Sequence, residues 1–390
     1  MSHNSIFSIV INGNRYNLGF SSIEVNRSID DFCGTFKFKT INNLPKNTKF
    51  PITRMANCSI FLDDVQIMNG YVEVIEDEAD DGSHEITISG RDITCDIVDS
   101  KIILKDIKPP YTVKTVVDEI LAILNLTGLI KLVGDSPSEA SQLHSSDDAE
   151  SCFDILAEIA AKKSYLLTTN GDGNIQLLRA TDETQYKTIL SFIPGQGNIK
   201  KRSIKYDDSK RFNSYRLINQ GSVLTDAVFG IKRTNLQDKK DNITAINYTI
   251  TDPLVRNSRI LTFKPDDSSG AADAKKRCTW EMTYRKSEAF VYTCTVKGLY
   301  AQNDDDMWKI NRLVRVIDQS EGLDTVLLIK AVKFTQSVDE GGQTELTLVD
   351  KLAFYADIDK ILEKEKKDKA GNLTIDSSVF GIKPKKDDDK

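Results

Sequence analysis

The sequence predicts a multidomain α+β protein, in which two related antiparallel β-barrels flank an α/β domain. Runs of alternating apolar and polar residues, which are typical of half-buried strands, occur near both ends of the chain. In the middle, apolar residues instead recur at helical spacing. The length of 390 residues also exceeds the size at which single cores stop growing, so several domains are expected.

Residues 1–105 are predicted to form the first β-barrel. Strand-like runs such as "FSIVINGNRYNL", "GTFKFKTI" and "GYVEVIED" follow one another with turn residues between them. Asn12-Gly13 and Asp81-Gly82 supply residues that adopt positive φ at little cost, as tight hairpins require.

Residues 106–191 are predicted to form the α/β domain. Apolar residues between Val113 and Leu124 fall on one helical face, Thr112 precedes them as a cap, and Gly128 follows them. A second helix is expected around residues 153–160, with Ser146 as the candidate cap. The later "NGDGN" lacks a GxGxxG motif and lies between two strand-like runs, which favours a hairpin turn over a phosphate-binding loop.

The second β-barrel is predicted to comprise residues 192–225 and 291–355. An insertion at residues 226–290 interrupts it, and we expect its helix, with Cys278 on the apolar side, to pack on the α/β domain. Residues 356–390 form a charged tail that has little apolar surface to bury.

An internal repeat links the two ends of the chain. The stretch "DGSHEITISGRDIT" at 81–94 resembles "GGQTELTLVDKLA" at 341–353. One offset of 260 residues aligns Glu85–Ile88 with Glu345–Leu348, and Val72–Val74 with Val332–Phe334. Two strands that match at one offset indicate a duplicated β-barrel or sandwich module. Three copies of a chain with two such modules can form a ring that looks sixfold while remaining threefold.

Composition argues against several classes of ligand. The chain has 52 Lys and Arg against 58 Asp and Glu, a formal charge of −6, so it offers no overall attraction for phosphate backbones. The six cysteines are scattered without a CxxC pair and there are three histidines, so we expect buried thiols rather than a zinc site. We expect neither a secretory signal nor a stable membrane insertion, because no apolar run approaches about 20 residues.

No enzyme is predicted, and no catalytic, cofactor-binding or metal-binding residue is assigned. The acidic runs "EDEADD" and "NDDDMW" are interpreted as solvated loops, and no nucleophile elbow, HExxH or phosphate loop occurs. The second run also lacks the spacing of an EF-hand. A β-rich carbohydrate-active enzyme that uses a pair of carboxylates remains a distant alternative.

Three stretches resemble the baseplate hub proteins of contractile-tailed bacteriophages, the Mu-type tail hub family. They are "IEVNRSIDDFCGTFKF" with "GYVEVIEDEADDGSHEITISGRDITCDIVD", "GQGNIKKRSIKYDDSKRFNSYRLINQGS", and "MWKINRLVRVIDQSEGLDTVLLIKAVKFTQSVDEGGQTELTLVDKLAF". Their order and spacing cover residues 6–355. Residues 356–390 match least.

The resemblance implies tail-tube-like barrels and a homotrimer whose barrels form a pseudo-hexameric ring. The ring would join a hexameric tail tube to a trimeric puncturing spike. The implied partners are the tail tube protein, the central spike protein and other baseplate proteins, and DNA would pass through the channel without specific binding. The implied location is the virion tail baseplate, after assembly in the host cytoplasm. An equivalent hub of a tailocin or a secretion-type injection machine is the alternative.

Three residues are candidates for subunit or partner contacts. Arg91 follows Gly90 at a strand end, where a bidentate carboxylate contact between subunits competes with a solvated arginine. Trp308 and Asn311 precede the strand "RLVRVID" in the spacing of the family motif. For them, packing of Trp308 against a barrel end and bonding of Asn311 to a turn compete with a subunit contact.

Overall fold

The computed structural model shows a mostly β protein with few helices. Its described residues are 7–16, 20–41, 52–81, 84–140, 143, 149–163, 165–178, 186–193, 195–218, 247–263, 271–301 and 307–351. They form a larger unit within Met1–Ile204 and Val291–Lys351, and a smaller unit within Lys205–Phe290. Ser146, residues 226–246 of the predicted insertion and the predicted tail at 356–390 lie outside the described residues.

The first seven strands of the larger unit come from the amino-terminal module. They are β1 (Phe7–Ile11), β2 (Asn14–Tyr16), β3 (Phe20–Ser28), β4 (Thr35–Ile41), β5 (Asn57–Leu62), β6 (Val65–Ala79) and β7 (His84–Asp92). Among the described residues they pair with one another in antiparallel fashion, as alternating runs joined by short turns predict. Asn12 and Gly13 both have positive φ at the first turn, which confirms that hairpin.

The helices and short strands in the middle of the chain pack around one hydrophobic core, to which Phe32 and Ile93 of the amino-terminal module also contribute. These elements are α1 (Cys95–Asp99), β8 (Lys101–Ile103), α2 (Val113–Ile123), β9 (Leu132–Val133), β10 (Ala149–Ser151), α3 (Cys152–Lys162), β11 (Leu166–Thr169) and β12 (Ile175–Leu178). Thr112 caps α2 by accepting from Thr115 N–H at 3.1 Å, as predicted. Strands β11 and β12 form the hairpin predicted at "NGDGN", with Gly173 at φ +81°.

The remaining elements include the helix predicted within residues 226–290. They are β13 (Thr188–Phe192), β14 (Ile199–Tyr206), β15 (Ser214–Ile218), β16 (Asn247–Thr251), β17 (Ile260–Phe263), α4 (Ala271–Glu288), β18 (Phe290–Lys297), β19 (Leu313–Asp318), β20 (Leu323–Ser337) and β21 (Gly341–Asp350). In the smaller unit, buried Cys278 of α4 packs with Leu217 of β15. Packing of α4 on the α/β domain stays a prediction.

The two terminal modules share one sheet among the described residues. Its 13 strands include the path β14-β18-β21-β20-β3-β4-β7-β6-β5-β1-β2, and β13 and β19 lie off this path. The amino-terminal module joins the carboxy-terminal one through antiparallel pairing of β3 with β20. The described pairings therefore form an open sheet rather than two separately closed barrels. No described helix is long and apolar enough to cross a membrane.

The repeat is present as a hairpin, but its pairing does not follow the single offset of 260 residues. Strands β6–β7 and β20–β21 each contain a bulge, at Glu73 and at Lys330 respectively. Beside the bulge, Gly90 faces Val72 in the first hairpin, and Leu348 faces Ile329 in the second. The structural offset is thus 257 residues on the first strand and 258 on the second, because 330 − 73 = 257 and 348 − 90 = 258. A bulge shifts register locally, which an alternating pattern does not reveal.

Candidate subunit interface

One face of the shared sheet is polar. Side chains alternate along its strands, so that Phe38, Ile88 and Leu346 are buried while their sequence neighbours lie on the other face. That polar face carries Glu24, Lys37, Lys39, Glu85, Thr293, Thr295, Lys333, Glu345 and Thr347. Lysines and glutamates are interspersed on it, and Lys39 Nζ lies 2.6 Å from Glu85 Oε1. The polar face therefore has no large field of one sign.

The junction between the two modules combines a backbone ladder with ion pairs. Ala331–Ser337 of β20 pair with Ser22–Ser28 of β3. Across this junction, Lys333 Nζ lies 2.9 Å from Glu24 Oε2. Buried Lys330 lies 2.5 Å from Asp30 Oδ2. The β20 side of the junction thus supplies positive charge and the β3 side negative charge.

Besides β2, which pairs only with β1, and β13, which pairs only with β19, the sheet has two open edge segments among the described residues. Strand β6 pairs with β5 along residues 65–71 and with β7 on its other side along residues 70–79. Beyond Val72, no described strand covers the side of β6 away from β7. Strand β14 stands at the end of the strand order, with only β18 beside it in the described part of the chain. Unpaired strand edges are templates for pairing with another chain.

Arg91 is engaged within its own chain. Its Nε donates to Glu73 Oε2 at 2.8 Å and its Nη2 to Glu73 Oε1 at 2.7 Å. Its two Nη atoms also donate to Asp99, at 3.0 and 2.6 Å. The hydrogen bond from Arg91 lowers the pKa of the Asp99 carboxyl. Arg91 thus joins the bulge residue of β6 to α1 by a bidentate contact, and a subunit contact through it stays a prediction.

We expect Arg91→Ala to lower the free energy of unfolding by about 1–2 kcal/mol, because it leaves Glu73 and Asp99 without their shared donor in a partly exposed site. Urea denaturation of the purified chain measures this change. The control is Lys114→Ala, which removes an exposed pair with Asp118 one helical turn away and should cost less than about 0.5 kcal/mol. Equal losses of stability in the two variants would contradict a stabilising contact of Arg91 with both Glu73 and Asp99.

Trp308 and Asn311 lie close together inside the larger unit. Trp308 is 5% exposed. Asn311 has φ +61°, and its backbone N–H donates to the Ile329 carbonyl at 2.8 Å just before β19 begins. Both residues line a cavity of about 590 Å³, measured over the described residues, together with Arg27. Trp308 is thus buried within its own chain and Asn311 has a left-handed backbone conformation, and a subunit contact through either residue stays a prediction.

A buried ionic cluster supports the second module, and sequence reasoning missed it. Asp318 is fully buried and accepts from Tyr292 Oη at 3.1 Å, from Arg202 Nε at 3.0 Å and from Ser320 N–H at 3.0 Å. Burial opposes ionisation of Asp318, but these donors outweigh it and lower its pKa. Ser320 is two residues from Asp318, but Tyr292 and Arg202 come from distant parts of the sequence, so no local motif signals the whole cluster.

Burial governs the chemistry of the cysteine thiols. All six cysteines are free, and five of them are buried. Burial raises the pKa of Cys58 and of Cys294 to about 12, so both thiols stay protonated at neutral pH. Within the described ranges, no three His, Cys, Asp or Glu side chains are placed to hold a metal ion.

Comparison with known proteins matches both ends of the chain to one group of phage proteins. Residues 6–92 match the family described as Mu phage baseplate assembly protein GpP-like, N-terminal. Residues 270–357 match the family described as Mu phage baseplate assembly protein GpP, fourth domain. Baseplate hub protein gp44 of Escherichia phage Mu is 22% identical over 373 residues, which cover 93% of this chain and 92% of gp44.

Solved structures of tail proteins share the fold. The 43 kDa tail protein of prophage MuSo2 from Shewanella oneidensis has a TM-score of 0.71 at 22% identity, over 90% of this chain and 99% of that one. A tail protein from Neisseria meningitidis MC58 has a TM-score of 0.74 at 19% identity, over 90% and 98% of the two chains. Through the two family matches at its ends and the relative aligned along nearly its whole length, the chain is similar to the Mu-type baseplate hub proteins.

Proposed function

We propose that three copies of this chain close into a ring of six modules that serves as the hub of a contractile phage tail. The observation that carries the proposal is the edge-to-edge junction of β3 with β20, which makes the two modules consecutive segments of one sheet. Each module contributes a hairpin with a bulge at the equivalent place. Repetition of this arrangement by a threefold axis gives six tube-like wall segments, and closure of the ring pairs open sheet edges of neighbouring copies.

The polar face of the sheet is the surface proposed to line the channel. Its interspersed lysines and glutamates give DNA no continuous positive track on which to bind, which suits passage rather than recognition. The opposite face is filled by the hydrophobic core, so it is not available to the channel. The proposed hub holds DNA in transit without a catalytic step.

A ring that is sixfold in its wall and threefold in its composition can join partners of different symmetry. We infer that one rim meets a hexameric tail tube and the other a trimeric spike protein, with further baseplate proteins around it in the virion. The similarity to the gp44 baseplate hub protein of phage Mu supports this assignment.

The mass of the native assembly tests the proposed ring. With a chain mass of 43.7 kDa, native mass spectrometry should find a species of three chains. Sedimentation at increasing protein concentration should drive the chain toward that species. A particle of one or two chains, both in solution and in baseplates isolated from virions, would overturn the proposal.

A further inference from the structure

The two hairpins, β6–β7 and β20–β21, differ in which strands pair with the outer side of their first strand. On β20, strand β21 lies on one side, while β19 and then β3 occupy the other side along Leu323–Leu328 and Ala331–Ser337. On β6, strand β7 lies on one side and β5 occupies the other side along Val65–Tyr71. The segment of β6 that corresponds to Ala331–Ser337 has no covering strand among the described residues. The first hairpin therefore lacks a counterpart of β3.

The open strand β14 is that counterpart. The order β14-β18-β21-β20 in the second module corresponds to β3-β4-β7-β6 in the first. Both strands thus occupy the first position of their series. Strand β3 is already paired with β20 of its own chain, whereas β14 has an open edge in the described part of the chain.

The charges on the open edges of β6 and β14 are the reverse of those at the internal junction of β20 with β3. The bulge residue of β20 is Lys330, and Lys333 follows three residues later; the equivalent positions of β6 are Glu73 and Glu76. Strand β3 opposes β20 with Glu24. The acidic run of β6 extends through exposed Glu78, whereas β14 reads "IKKRSIKY" with Lys200 and Lys201 exposed. Acidic β6 and basic β14 attract each other, while β6 and β3 would repel.

The register between β14 and β6 follows from rows of residues that face one another on adjacent strands of each module. In the first module the row beside the bulge is Val74, Ser89, Lys37 and Glu24. In the second module the row is Ala331, Thr347 and Thr293. Tyr206 and Phe290, at the far ends of β14 and β18, have ring centroids 5.5 Å apart, and Asp207 N–H donates to the Ala289 carbonyl at 2.9 Å. Counting back from these ends along the two antiparallel strands places Ser203 beside Thr293. Ser203 therefore occupies the position in the second module that Glu24, beside Lys37, occupies in the first.

We propose that β14 of one copy pairs antiparallel with the 73–79 segment of β6 in a second copy of this chain, with Glu78 opposite Ser203. Thr335 faces Glu24 at the equivalent position of the internal junction. Lys201 then lies diagonal to Glu78, in the geometry that Glu24 has to Lys333, a pair 2.9 Å apart. This inference rests on the proposed ring and specifies the contact that closes it. At the internal junction β20 is basic and β3 acidic, whereas at the proposed junction β6 is acidic and β14 basic. Each module therefore pairs with a module of the other type, and the two types alternate around the ring.

A charge-reversal cycle tests the proposed pair. Lys201→Glu and Glu78→Lys should each raise the dissociation constant of the assembly about tenfold or more, and the double variant should recover most of the loss. Lys108→Glu, an equal charge change at an exposed residue away from both edges, is the control and should have little effect. Circular dichroism checks that each variant is folded. The pairing would be overturned if both single variants had the dissociation constant of the Lys108→Glu control. It would also be overturned if the double variant had a higher dissociation constant than either single variant.

Cysteine cross-linking tests the register independently. Glu78→Cys combined with Ser203→Cys should give covalent dimers and trimers under mild oxidation, because directly opposed residues lie within disulfide reach. Glu78→Cys with Thr295→Cys is the control, since Thr295 lies on β18, one strand further from the edge, and should not cross-link. If the three-chain mass forms but this cross-link does not, the pairing is wrong and the ring stands. If no three-chain mass forms, the ring itself is wrong.

Discussion

Replacement of Gly90 by valine is expected to prevent stable folding of the first module. A Cβ atom at this position would lie 1.9 Å from the Tyr71 carbonyl oxygen and 2.7 Å from the Phe36 ring. The carbonyl belongs to the paired strand β6 beside its bulge, so it cannot move without breaking the ladder. We expect a loss of at least about 3 kcal/mol in the free energy of unfolding, as for strong overpacking of a core. Urea denaturation measures it.

The matched control for Gly90 is Gly341 in the second hairpin. Gly341 has φ +69°, and no atom lies within 4 Å of an added Cβ. Gly341→Ala should therefore cost only the left-handed backbone strain, about 1 kcal/mol. A loss for Gly90→Val as small as that for Gly341→Ala would contradict the close approach of β6 and β7.

Removal of the Asp318 carboxylate is expected to have a comparable effect in the second module. Asp318→Ala leaves the Arg202 guanidinium, which is 21% exposed, without its buried partner and Tyr292 Oη without its acceptor. The loss of one partner of a buried ion pair costs about 3–5 kcal/mol. Arg202 keeps Glu321 at 2.8 Å, which places the expected loss at the lower end of that range. Thermal and urea denaturation at neutral pH test the prediction.

The same carboxylate gives a dependence on pH whose sign follows from its pKa. Because the folded protein lowers the pKa of Asp318 below its ordinary value, the carboxylate stabilises the fold at neutral pH. This contribution is lost as the pH falls below about 4, the ordinary pKa of aspartate. Asp318→Asn should therefore lose less stability between neutral and acidic pH than the unsubstituted chain. An equal loss in both proteins would show that Asp318 contributes nothing to the pH dependence.

Local features of the fold were predictable because they depend on neighbouring residues. The helix at Val113–Ile123 follows from its apolar spacing and its Thr112 cap, and the hairpin at "NGDGN" from its glycines. Gly90, expected near a strand end, pairs with Val72 beside the Glu73 bulge. The duplication was visible in the alternating strands, although the bulges shift the structural offset away from 260 residues.

Long-range pairing was not predictable from the same patterns. Strand β3 meets β20 about 300 residues later in the chain, and alternation of apolar and polar residues does not identify a strand's partner. The Asp318 cluster likewise joins residues that are distant in sequence. The opposite charges of "VEVIEDEA" and "IKKRSIKY" were present in the sequence, but their meaning depends on the strand order.

The central claim is that each chain contributes two consecutive wall segments to a closed sheet. Electron cryomicroscopy of the purified assembly, sectioned across its axis, measures the number and order of those segments. We predict six sheet segments around one channel, alternating between two types with threefold symmetry, and continuous density from β14 of each copy to β6 of the next. Three isolated sheets with solvent between β14 and β6, or a particle without a threefold axis, would contradict the account.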